Sequence, residues 1–86
     1  MKVTNNILEI INSITMDSTL VITGRNGRFQ NKYKIVKATD DSLDIVPITN
    51  PDAFWNGGFE TIEEVKNYLV ADIALGKIKE IDVLKR

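Results

Sequence analysis

The tetrapeptide Arg25-Asn26-Gly27-Arg28 stands between two runs of alternating apolar and polar residues. Asn-Gly is the strongest short-range hairpin signal, because a type I′ turn needs φ > 0 at both central residues. Asparagine tolerates that conformation, and glycine adopts it without a Cβ clash. A two-residue loop at Asn26-Gly27 fixes a register in which Arg25 faces Arg28, Gly24 faces Phe29, Ile22 faces Asn31 and Leu20 faces Tyr33. Directly opposed residues share a sheet face. One face then holds Leu20, Ile22, Phe29, Tyr33 and Ile35, and the other holds Thr19, Val21, Thr23, Gln30, Lys32 and Lys34. A slip of one residue would exchange the faces and bury two lysines.

The flanking segments follow from period and punctuation. Ile7, Ile10, Ile11 and Ile14 repeat at helical spacing, with Leu8 widening the stripe, and predict a helix over 5–15. Asn6 and Glu9 stand three apart, as in a capping box. Thr39-Asp40-Asp41-Ser42 reads as a second turn before a third strand over 43–48. Its register has two solutions: a two-residue loop sets Ile35 opposite Val46, and a three-residue loop sets Lys37 opposite Ile45. Leu43 and Ile45 fall on one face of that strand, Val46 and Ile48 on the other, and Pro47 marks a strand end or sheet edge. Residues 49–59 are irregular. Thr61 and Glu64 form a capping box for a helix over 62–75, whose buried stripe is Ile62, Val65, Leu69 and Ile73, with Tyr68 beside it. Gly76 suits the C′ position. Alternation of Ile81 and Val83 with charged residues predicts a last strand over 77–85.

These elements predict an α+β fold: a two-layer α-β-β-β-α-β arrangement in one domain, 1–86. A three-stranded antiparallel meander carries two helices on its Leu20/Ile22/Tyr33/Ile35 face. The C-terminal strand joins an edge or pairs with a second copy of the chain. A chain of 86 residues, 43% hydrophobic and 27% charged, has the balance of an ordinary globular protein with one modest core.

The absent residue types narrow the chemistry. There is no histidine and no cysteine. That removes the commonest general base, the commonest metal ligand, thiol catalysis and disulfides. Neither a calcium loop nor a Gly-x-x-x-x-Gly-Lys-Ser/Thr loop is present. The reading is therefore a non-enzymatic protein with no cofactor and no metal. With no apolar run of membrane-spanning length and no leader-like start, the expected setting is the cytoplasm. In size and in its Ile/Lys/Asn-rich composition the chain resembles small accessory proteins of phages and mobile elements, a likeness carried by no motif.

Three groups of residues are candidate contacts. Phe54, Trp55 and Phe59 surround Gly57-Gly58 and either anchor a protein partner or close the core. Val21 and Val36 lie on the second sheet face, where an apolar strip rimmed by threonine and lysine would suit a protein contact. Arg25 and Arg28 at the hairpin tip, with Lys32 and Lys34 on the outward face, form a row of cations that could follow a phosphate backbone. That row has no aromatic for base stacking, and the net charge of the chain is only −1. The charge is unevenly spread: residues 1–39 carry +4 and residues 40–86 carry −5. The carboxylates Glu60, Glu63, Glu64, Asp40 and Asp41 are explained by helix capping and turn chemistry. The expected partner is a protein or a second copy of this chain, with nucleic acid as the alternative and no membrane contact.

Overall fold

The computed structural model describes residues 4–24, 27, 30–49 and 56–84. In chain order the elements are α1 (Asn5–Asn12), β1 (Thr19–Gly24), β2 (Gln30–Lys37), β3 (Leu43–Pro47), β4 (Asn56–Phe59), α2 (Ile62–Ala74) and β5 (Ile78–Leu84). The strands form one antiparallel sheet in the order β4-β3-β2-β1-β5. The fold is α+β, as expected, with one strand more than the sequence pattern predicts.

The first hairpin has the predicted register, with Ile22 opposite Asn31 and Leu20 opposite Tyr33. Gly27 lies at φ +72°, and its N–H donates to Gly24 O at 3.0 Å. Arg25, Asn26, Arg28 and Phe29 lie outside the described residues. Leu20, Ile22 and Ile35 are buried, and Tyr33 packs against them.

The second hairpin takes neither of the two expected registers. Its loop is Thr39-Asp40-Asp41, closed by Ala38 N–H to Ser42 O at 2.8 Å and by Asp41 N–H to Ala38 O at 3.0 Å. Asp41 holds φ +68°, the left-handed residue that ends a three-residue loop. The Ser42 N–H and hydroxyl both donate to Asp40 Oδ1, at 3.1 and 2.6 Å. These bonds hold the Asp40 carboxyl below its usual range, the serine hydroxyl contributing most. Ala38 is thereby fixed opposite Ser42, so Ile35 faces Ile45 and Lys37 faces Leu43. Leu43 and Ile45 fall on the buried face.

Helix α1 starts at Asn5 as expected, but its cap and its end differ from the expectation. Thr4, not Asn6, is its N-cap, and its hydroxyl accepts the Ile7 N–H at 3.2 Å. The helix ends at Asn12 because hydroxyls take over from the helical ladder. Ser13 Oγ donates to Ile10 O at 2.6 Å, and Thr15 N–H donates to Ser18 Oγ at 2.9 Å. Ile14 is buried all the same, delivered by the turn that follows.

Helix α2 is capped as predicted. Thr61 Oγ1 accepts the Glu64 N–H at 3.3 Å, and the Glu64 carboxylate accepts the Glu60 N–H. Gly76, at φ +79°, closes the other end. Its N–H reaches Ile73 O at 3.0 Å, and the Lys77 N–H reaches Asp72 O at 2.9 Å, the paired bonds of a Schellman cap. Lys66 Nζ then donates to Asn12 O at 3.2 Å and pairs with Glu63 at 3.4 Å. A cation on α2 so completes the C-terminus of α1.

β5 pairs within the chain along the whole of β1. The register shifts by one between Thr23 and Gly24. That bulge lets Ile78 reach the core although it is out of phase with Ile81 and Val83. The core joins Ile11 and Ile14 to Leu20, Ile22, Ile35 and Ile45 from the sheet and to Val65, Leu69 and Ile73 from α2.

Candidate functional site

The registers place Thr19, Val21 and Thr23 of β1 on one face with the even-numbered residues of β2 and β3 and with Glu80, Asp82 and Leu84 of β5, opposite the face that forms the core. The other face is built in rows. Asp82, Val21 and Lys32 form one row across β5, β1 and β2. Leu84, Thr19, Lys34 and Val46 form the next, reaching β3. Glu80, Thr23 and Gln30 form the row on the other side, and Val36 stands opposite Asp44 at the far end.

The predicted contact residues on this face are in place but interleaved. Val21 and Val36 are half-buried, while Lys32 and Lys34 are exposed. Four residue positions along β2 separate the Val21 row from Val36, about 13 Å at the strand rise. Lys34 and Thr19 stand in that interval. The aliphatic content is continued by Val46, which is buried, and by Ile48 and Leu84, which are 40% and 44% exposed. This surface is a mosaic of valine, leucine, isoleucine and lysine, not an unbroken apolar strip.

Its charges differ in how far the fold has used them. Asp44 is committed: its Oδ1 accepts the Gly58 N–H at 3.1 Å and fixes β4. Lys32, Lys34, Glu80 and Asp82 form no ion pair among the described residues. Asp82 Oδ1 accepts the adjacent Val83 N–H, at 2.8 Å. Glu80 and Asp82 were not among the sequence candidates. Their alternation with Ile81 and Val83 was visible, but only the pairing of β5 with β1 brings them onto the lysine face.

Two grooves border the face. One of about 790 Å³ lies between the α1–β1 connection and β2, with Met16, Asp17, Thr19, Lys34 and Ile48 in its walls. The second, about 350 Å³, runs where Ile7 and Ile10 of α1 approach Val21, Thr23 and Glu80. Among the described residues, the charged ones in the wall of the first are Asp17 and Lys34. Among the described residues no three acidic side chains gather to hold a metal ion, and no helix is long and apolar enough to cross a membrane.

Of the aromatic candidates, Phe54 and Trp55 lie outside the described residues. Phe59 is half-buried against the core, its ring centroid 5.3 Å from that of Tyr68 at a tilt of 54°. The Tyr68 hydroxyl is bonded to Asn56 and Asp72, and burial is the main cause that pushes its pKa up. Of the basic hairpin, Arg25 and Arg28 lie outside the described residues. A cation the sequence did not suggest stands beside that turn: a Cβ built on Gly27 would lie 3.0 Å from Lys79 Nζ. The β5 bulge puts Lys79 there, a consequence of strand pairing that no local pattern announces.

No protein-family model, no curated protein and no solved structure matches this chain.

Proposed function

We propose that the protein is a small non-enzymatic binding module that contacts another protein through the Val21/Lys32/Lys34/Val36 face of its sheet. The observation that carries this reading is the composition of that face. It holds partly exposed aliphatics together with four charges that form no ion pair among the described residues. Interfaces combine such apolar area with a polar rim. The lack of histidine and cysteine in the chain supports a role without catalysis, and the lack of cysteine fits a cytoplasmic setting.

The test uses the folded chain as immobilised bait. Wild type is expected to retain a protein partner or further copies of itself. Val21→Glu/Val36→Glu is expected to lose that retention while keeping its far-UV circular dichroism. Equal capture by both baits would sink the reading.

Lys79 beside the first hairpin turn favours a second reading, in which the turn binds a nucleic-acid backbone. Heparin retention that falls with salt and disappears in Arg25→Glu/Arg28→Glu would support it. Flow-through at every salt concentration would end it.

A further inference from the structure

We infer that the partner of this face is a second copy of the chain, packed so that Lys32 of each copy meets Asp82 of the other. The inference rests on the reading of that face as a contact surface and goes further by naming the occupant.

The argument is charge complementarity under symmetry. On this face the acids Glu80 and Asp82 lie on β5 and the cations Lys32 and Lys34 on β2, with β1 between them. Strands are about 4.8 Å apart, so roughly 10 Å separates the two charged lines. All four side chains are exposed. Consider a two-fold axis lying between two such sheets and running along β1. It carries β2 of one copy over β5 of the other and leaves positions along the strand unchanged. Each row therefore meets its own image. Lys32 meets Asp82, Lys34 meets Leu84, and Val21 meets Val21. Opposite charges face each other twice, around an aliphatic centre. This is the self-complementarity that an isologous interface requires, in the aligned packing of a two-sheet sandwich.

The same pattern argues against the alternative occupants. A phosphate backbone laid on the lysines would lie close to Glu80 and Asp82, which repel it. An unrelated protein would need an independently matched array of charges, whereas a second copy supplies one by symmetry. The axis along β1 superposes three strands, β2, β1 and β5, since β5 is the sheet edge; over about seven residues of length they span on the order of 330 Å² per copy. Doubled, that is about 660 Å², the size of a weak, transient contact, so the dimer should dissociate on dilution.

Sedimentation velocity over a concentration series tests this. Wild type is expected to move from one chain mass to two as concentration rises, with weaker association in high salt. Lys32→Asp and Asp82→Lys are each expected to stay monomeric, because each puts like charges together. An equimolar mixture of the two variants is expected to dimerise, because both pairs are then opposite again. The double variant Lys32→Asp/Asp82→Lys is expected to regain self-association. A wild-type dimer unmoved by either single variant would overturn the proposal. So would a wild type that remains monomeric at millimolar concentration. If that monomer still captures another protein and loses it in Val21→Glu/Val36→Glu, only self-association fails. If capture is absent or unchanged in that variant, the contact-face reading fails with it.

Discussion

Gly57 has the least room to vary among Gly27, Gly57, Gly58 and Gly76. A Cβ placed there would stand 2.1 Å from Asp44 Oδ1 and 2.9 Å from Asp44 Cγ. The carboxylate cannot retreat without releasing the Gly58 N–H that it holds at 3.1 Å. Gly57→Ala should therefore cost about 1–2 kcal/mol, the worth of a charged hydrogen bond, plus some strain. Asp44→Ala removes the same bond and also the obstacle, so Gly57→Ala should cost much less in that background. Urea unfolding of the four chains of this cycle measures the coupling, and additive effects would refute the account. The sequence presents Asn56-Gly57-Gly58 as an irregular stretch, because glycine has poor strand propensity. What makes it a strand is a carboxylate 14 residues upstream, which local patterning does not see. The reverse holds for Leu20, Ile22 and Ile35. Their alternation and the Asn-Gly signal agree, and they are buried where the pattern put them.

At the scale of elements, each misreading has a side-chain cause. The hydroxyls of Ser13, Thr15 and Ser18 bond to nearby backbone or to one another, which ends α1 at Asn12 although isoleucine spacing continues to Ile14. The 38–42 loop turned on whether Asp41 would accept a positive φ. An aspartate does so more readily than most residues, but at a cost that glycine avoids. Asp41→Gly should thus stabilise the hairpin by up to about 1 kcal/mol, and Asp41→Val should destabilise it by about 1–2 kcal/mol. The lost Lys37–Asp41 pair, 3.7 Å long and largely solvated, should hardly enter. Thermal unfolding of the two variants separates these outcomes, and the same direction of change in both would contradict the φ argument. The α2 caps were legible because Thr61, Glu64 and Gly76 are local signals, each read within a few residues.

For the molecule as a whole, the decisive contacts are those between distant segments, and these were least legible. The position of β5 beside β1 brings Glu80 and Asp82 to the lysine face, and nothing in 77–85 specifies that neighbour. The closure of α2 over the short edge strand β4 is similar. Tyr68 joins the two, with its ring against Phe59 and its hydroxyl bonded to Asn56 of β4 and Asp72 of its own helix. Burial raises its pKa first, and the nearby Asp72 carboxylate acts in the same direction. The fold therefore favours the neutral phenol over the phenolate. The stability this contributes is fully present below the unfolded-state pKa of about 10. It is lost as pH rises through the higher folded-state value, since the unfolded chain releases its proton first. Wild type should lose stability steadily above pH 10. Tyr68→Phe keeps the ring contact with Phe59 but has no proton to release. Its urea midpoint should start lower at neutral pH and fall less steeply above pH 10, so the two curves converge there. Lysine titration affects both chains alike and cancels in the difference. Parallel curves across that range would show that Tyr68 carries no proton linkage to folding, and any constant offset between them would then measure what its hydroxyl contributes to the closure of α2 on β4.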